Sequence, residues 1–84
     1  MNGDSKVYRT SDLQFSAYLK VAGVAHVDTE KKEGRTYFYF EQPEGGIRDL
    51  KNQYFNRQAK VVALDFADAM RSLKTLIHMA DDED

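Results

Sequence analysis

The first helical pattern in the chain comes from four apolar residues that recur at the three- and four-residue steps of an amphipathic helix: Phe15, Tyr18, Leu19 and Ala22. This spacing predicts a helix over about residues 11–22. Ser11 and Gln14 have the spacing of a capping box, so Ser11 is the expected N-cap. Gly23 follows the last apolar position, and we expect it to end the helix in the left-handed conformation.

The pattern then changes to the two-residue alternation of β-strands, over residues 24–30 and 35–41. Residues 31–34 join the two stretches, and Gly34 can supply the positive φ of a tight hairpin turn. Alternation divides the predicted hairpin into two faces. The face expected to meet the helices carries Val27, Thr36, Phe38 and Phe40, and the opposite face carries His26, Tyr37 and Tyr39.

Two further helices are predicted after Pro43, which interrupts the strand pattern. The first runs over about residues 45–56, with Ile47, Leu50, Tyr54 and Phe55 on its apolar side and Asn56 as its left-handed end. The second runs from Val62 or Ala63 to Met79. Its apolar side includes Ala63, Phe66, Met70, Leu73 and Ile77.

Together these elements predict a single α+β domain over residues 7–80, in the order α-β-β-α-α, with an antiparallel hairpin packed on helices. Residues 6–9 are a candidate third strand at the N-terminus. Residues 1–6 are expected to be flexible, and residues 81–84 to form a disordered acidic tail. The expected core residues are Phe15, Leu19, Val27, Phe38, Phe40, Leu50, Phe55, Phe66, Met70, Leu73 and Ile77.

Composition limits the possible functions of the chain. Its 84 residues, 42% of them hydrophobic, suffice for one small core, and a second subunit would add to its stability. It contains no cysteine, which excludes disulfides and thiolate chemistry and favours the cytoplasm. No apolar run is long enough to span a membrane. The net charge is −2, and the last four residues carry −4, so the rest carries +2, without a strongly basic character.

The sequence contains no strong signature of catalysis or of metal or cofactor binding. Asp65 and Asp68 are one helical turn apart, but both suit the first turns of a helix, where a carboxylate favours the positive end of the helix dipole. His26 and His78 have no helix-spaced partner for zinc. We therefore expect a protein that is not an enzyme and needs no cofactor.

Tyr37 and Tyr39 are the most informative side chains, because they share the face of the hairpin that points away from the predicted helices. Three interpretations remain open. The rings could stack on nucleic-acid bases, or a second copy of the chain could cover them, or the third helix or the N-terminal segment could bury them in the core.

Two functions of different classes follow. The first is a non-catalytic protein-interaction module that associates with itself through the hairpin, with His26, Tyr37 and Tyr39 at the contact surface; an unidentified protein is the other expected partner. The second is weak binding of single-stranded nucleic acid. In that case the two tyrosines would stack on bases, and phosphates would be bound by Lys31, Lys32, Arg35, Arg48 and Lys51.

Three segments carry a family resemblance: YRTSDLQFSAYLKVAG, GRTYFYFE and AKVVALDFADAMRSLKTLI. With them, the chain over about residues 8–78 resembles a family of small bacterial and phage proteins, domain of unknown function 5659. The matching positions are mostly helix caps, core residues and a turn. The resemblance therefore implies a fold and a bacterial or phage origin, and it transfers no activity or catalytic residue.

Overall fold

A computed structural model of the chain describes residues 7–43 and 45–82. Their elements, in order, are β1 (Val7–Thr10), α1 (Leu13–Val21), β2 (His26–Lys32), β3 (Arg35–Glu41), α2 (Arg48–Phe55) and α3 (Ala63–Asp82). The predicted α+β class is confirmed, and the candidate N-terminal strand exists as β1, which makes the order β-α-β-β-α-α. The predicted flexible segment 1–6 lies outside the described residues.

The three strands form one antiparallel sheet in the order β1-β3-β2, so that β3 is the central strand. All three helices lie on one side of it: α1 packs against both α2 and α3, and α3 also contacts β2. The molecule is only 18 Å thick in its shortest dimension, which corresponds to one layer of helices on one sheet.

The core lies between the sheet and the helices. Phe38 and Phe40 project from β3 and are buried against Phe15 and Leu19 of α1 and Leu73 of α3, as the hydrophobic pattern predicts. Other predicted core residues pack against this centre while staying partly exposed: Leu50, Phe66, Met70 and Ile77. Two predicted core residues, Val27 and Phe55, are more than half exposed.

The N-cap of α1 is Asp12, one residue later than predicted. An Oδ1 atom of Asp12 accepts a hydrogen bond from the backbone N–H of Phe15 at 2.9 Å, which satisfies a donor of the first helical turn. The hydroxyl of Thr10 in turn accepts the backbone N–H of Asp12. At the other end, Gly23 adopts the predicted left-handed conformation, with φ of 94°.

The hairpin closes through Glu33 and Gly34, whose φ angles are 54° and 82°. Two consecutive positive φ values between directly paired strand ends define a type I′ turn, which matches the right-handed twist of the strands. The predicted glycine turn is therefore confirmed.

A β-bulge between His26 and Asp28 changes which side chains of β2 face the core. The bulge adds one residue to β2. The two-residue alternation therefore holds from Lys32 back to Asp28, and on the N-terminal side of the bulge it is shifted by one residue. Val27 consequently has no partner in the register and is 52% exposed, whereas the prediction placed it in the core.

The last two helices differ from the prediction at their ends. α2 begins at Arg48 rather than near residue 45, and the left-handed residue beyond it is Arg57 (φ 61°), whereas Asn56 has φ of −91°. The ring of Phe55 lies 5.7 Å from that of Phe15 and 5.0 Å from that of Tyr54, yet the residue remains 57% exposed. α3 continues to Asp82, so residues 81 and 82 are helical, against the predicted disordered tail; residues 83 and 84 lie outside the description.

Candidate interaction surface

The side of the sheet that faces away from the helices forms a surface that we call the tyrosine face. Residues paired across an antiparallel sheet project to the same side, so the register defines its members. They are Val7, Arg9, Asp28, Glu30, Lys32, Arg35, Tyr37, Tyr39 and Glu41. Tyr37 and Tyr39 occupy its centre, on the central strand.

No helix covers the tyrosine face in the part of the chain that the structure describes, since α1, α2 and α3 share the other side of the sheet. Both tyrosines remain partly exposed, and the hydroxyl of Tyr39 lies at the surface. The predicted alternative in which α3 or the N-terminal segment buries these rings is not what the described residues show: α3 lies on the opposite side, and Val7–Thr10 is a strand of the sheet itself.

Charged side chains hold both tyrosines in place. The guanidinium carbon of Arg9 lies 4.6 Å from the centroid of the Tyr37 ring, a cation–π contact. The hydroxyl of Tyr39 donates a 2.6 Å hydrogen bond to Glu30 Oε1, and this bond raises the pKa of Tyr39 above its ordinary value of 10.0. The sequence pattern alone does not indicate Arg9 and Glu30, because their role depends on the register of the strands that flank β3.

The charges on the tyrosine face balance. Arg9, Lys32 and Arg35 carry three positive charges, and Asp28, Glu30 and Glu41 carry three negative ones; these six are the charged members of the face. A balanced surface of this kind attracts neither a polyanion nor a polycation strongly, and it can be complementary to itself.

His26 lies on the opposite side of the sheet from Tyr37 and Tyr39, so the prediction that the three side chains share one face is wrong. The bulge pairs it with Phe40, and its ring packs against Phe38 and Phe40 at centroid distances of 6.1 and 5.3 Å. Its Nε2 atom is 2.9 Å from the hydroxyl of Thr29. Burial, together with the nearby positive charge of Lys20, lowers the pKa of His26 below 6.5.

The structure divides the five basic residues of the nucleic-acid hypothesis among separate surfaces. Lys32 and Arg35 flank the hairpin turn on the tyrosine face. Lys31 pairs with Thr36 and projects to the helix side of the sheet. Arg48 and Lys51 lie on α2, which packs against α1 on that same side. The five cations therefore do not form one stripe beside the tyrosines.

The outer edge of β2 is protected against pairing with another strand. Because Lys32 and Arg35 close the hairpin as a hydrogen-bonded pair, the backbone groups of Thr29 point outward. The outward N–H of Thr29 already donates to Asp28 Oδ1 at 2.8 Å. The bulge near the start of β2 and the lysines at its hairpin end, Lys31 and Lys32, add to this protection. Association through the sheet face is therefore easier than association through this edge.

A shallow groove of about 330 Å³ lies between the end of α1 and the first half of α3, lined by Lys20, Val21, Asp65, Asp68 and Ala69. It contains the two carboxylates singled out in the sequence, and Asp68 forms a 2.7 Å ion pair with Arg71. Over the described residues, no group of three or more histidine or acidic side chains is arranged to hold a metal ion. No helix in this part of the chain is long and apolar enough to cross a membrane.

Comparison with known proteins identifies the family. The model of a family described only as a domain of unknown function (DUF5659) matches residues 5–79 of the 84-residue chain. The chain therefore belongs to this family, as the motifs of its helices and hairpin indicate. No curated protein and no solved structure matches it.

Proposed function

We propose that the protein is a non-catalytic interaction module that associates with itself, and that the tyrosine face is its contact surface. The observation that supports this most is the position of Tyr37 and Tyr39, two aromatic rings at the centre of a sheet face that none of the described helices covers. Aromatic side chains at the centre of an exposed surface are typical of protein contact sites.

The charge balance favours a second copy of the chain over nucleic acid as the partner. A phosphate backbone would meet Asp28, Glu30 and Glu41 on the same face as the tyrosines. A second copy presents three charges of each sign, as the first does. One face of the Tyr37 ring is already in contact with the Arg9 guanidinium, which leaves only the other face to stack on a base.

The size of the tyrosine face indicates a weak dimer. Seven residues of β3 span about 24 Å and three strands span about 14 Å. Because β1 has only four residues, each copy contributes a flat area of at most about 340 Å². Stable complexes bury about 800 Å² per partner. We therefore expect a dissociation constant in the micromolar range. The proposal includes a cytoplasmic location in a bacterium or its phage, on the basis of the cysteine-free sequence and the family resemblance.

Sedimentation velocity over a dilution series tests the proposal. Wild-type protein should change from dimer to monomer across the micromolar range. A Tyr37→Thr/Tyr39→Thr variant should stay monomeric and folded, because threonine keeps the strand propensity and removes both rings. Leu64→Ser removes an exposed apolar side chain of α3 and should dimerise like the wild type.

Two outcomes would overturn the proposal. One is a strictly monomeric wild type at high micromolar concentration. The other is a dimer that the double tyrosine variant leaves intact. Adding a labelled single-stranded oligonucleotide at low salt tests the alternative in the same experiment, since a monomer that binds it in a salt-sensitive way would favour nucleic-acid binding.

A further inference from the structure

We propose that two copies meet tyrosine face to tyrosine face with their β3 strands antiparallel, so that Arg35 of each copy lies opposite Glu41 of the other. This inference rests on the proposed self-association and adds the orientation of the two copies. It follows from which charges of the face are already bound within one copy and which are not.

The charges nearest the centre of the tyrosine face are engaged within the protomer. Arg9 packs on the ring of Tyr37. Glu30 accepts the hydroxyl of Tyr39. Asp28 accepts the backbone N–H of Thr29 at the strand edge. An ion pair with another copy would therefore stabilise these three groups less, and they do not determine how the other copy is oriented.

The charges at the two ends of β3 are different. Arg35 and its neighbour Lys32 lie at the hairpin end, and Glu41 lies at the opposite end. These three side chains form no ion pair or side-chain hydrogen bond with another residue in the described ranges. Along the tyrosine face, β3 therefore carries a positive charge at one end, two aromatic rings in the middle and a negative charge at the other end. These side chains are Arg35, Tyr37, Tyr39 and Glu41.

Symmetry then decides the orientation. Two identical faces that pack against each other are related by a two-fold axis that lies between the sheets. An axis along β3 would bring Arg35 against Arg35 and Glu41 against Glu41. An axis across β3 brings Arg35 against Glu41 twice and leaves the four tyrosines at the centre. Since like charges in contact are unfavourable and opposite charges are favourable, the second arrangement is preferred.

Charge reversal tests this orientation. In the antiparallel arrangement, Arg35→Glu should raise the dissociation constant roughly tenfold, because both end pairs become repulsive. Glu41→Arg should have the same effect. The variant that carries both substitutions should return to the wild-type value, because each pair is restored with its signs exchanged. Salt should reduce all of these differences.

Glu41→Arg separates this effect from that of net charge. It changes the net charge from −2 to 0, so if repulsion between whole molecules controlled association it would strengthen the dimer. We expect it to weaken the dimer. If the axis ran along β3, each single reversal would replace one like-charged pair by another, and the dissociation constant would not change.

Cross-linking provides a second test, because the chain has no cysteine of its own. A mixture of Arg35→Cys and Glu41→Cys proteins, treated with a short bis-maleimide, should give a covalent dimer. Arg35→Cys alone should not form this dimer, because position 35 of one copy lies over position 41 of the other. The two cysteines are therefore six residues apart along the strand, about 20 Å. Cross-linking of Arg35→Cys alone would contradict the orientation while leaving self-association intact. A wild type that stays monomeric would instead remove the proposed function.

Discussion

The guanidinium of Arg9 on β1 lies 4.6 Å from the centroid of the Tyr37 ring on β3, although Arg9 is paired in register with Tyr39. The contact is thus diagonal, and it ties the edge strand to the aromatic centre of the tyrosine face. Together with the hydrogen bond from Tyr39 to Glu30, it holds both rings before any partner arrives. A surface that is ordered in advance loses less entropy on association.

The first prediction concerns this contact. Arg9→Gln should lower the free energy of unfolding by about 0.5–1 kcal/mol, the usual contribution of an exposed cation–π pair. It should also weaken the dimer, because the Tyr37 ring becomes free to move. Denaturant titration of dilute protein and sedimentation measure the two effects. Arg48→Gln, at an exposed arginine on α2, is the control and should change neither.

The second prediction compares two leucines on α3. Leu73 is fully buried between the helices and the sheet, whereas Leu64 is 76% exposed. Leu73→Ala should lower the free energy of unfolding by about 2–5 kcal/mol, through lost burial and the cavity that remains. Leu64→Ala should change it by less than about 0.5 kcal/mol. Similar losses in thermal unfolding for both variants would contradict the assignment of the core.

The third prediction concerns the hairpin turn. An added Cβ at Gly34 would meet no atom within 4 Å, so the effect of Gly34→Ala should come from its φ of 82° alone. We expect a loss of about 1–2 kcal/mol in the free energy of unfolding. Glu33→Asn should have the opposite effect, because Asn-Gly is the preferred pair of a type I′ turn. If Glu33→Asn lowered the melting temperature, the turn type would be wrong.

The fourth prediction concerns pH. Burial and Lys20 lower the pKa of His26 in the folded chain, so below 6.5 the unfolded chain takes up a proton more readily than the folded one. The free energy of unfolding should therefore fall as the pH decreases from 6.5 through the folded pKa. Urea titrations at a series of pH values measure this.

The two histidines supply the comparison. His26→Gln should flatten the dependence on pH in this window, and His78→Gln, at an exposed position on α3, should preserve it. If the two variants behave alike, burial of the His26 ring against Phe38 and Phe40 does not control the dependence.

Most of the fold could be predicted because its elements carry regular patterns. Helical spacing identifies α1 and α3, and the alternation of Tyr37 to Glu41 identifies β3 and its buried phenylalanines. The partial exposure of its tyrosines depends on where the helices pack, and the sequence left that open. The separation of the tyrosines from the phenylalanines follows from β3 alone, since a regular central strand keeps its alternation along its whole length.

The remaining features depend on tertiary contacts that these patterns do not contain. A bulge shifts the alternation of β2, which moved His26 to the core side and Val27 to the surface. The position of Arg9 depends on how a four-residue strand pairs with β3, and its own residues do not alternate clearly enough to fix that register. The N-cap of α1 is Asp12 rather than the predicted Ser11, because the carboxylate of Asp12 accepts a hydrogen bond from the backbone N–H of Phe15.

The most direct test of the proposed contact surface is a dilution series followed by amide chemical shifts in two-dimensional NMR. On dilution through the micromolar range, the amide signals of Arg9, Tyr37, Tyr39 and their strand neighbours should shift together, and those of α2 should stay in place. Shifts confined to the exposed residues between α2 and α3, such as Val62, would contradict the account. So would a spectrum that does not change with concentration.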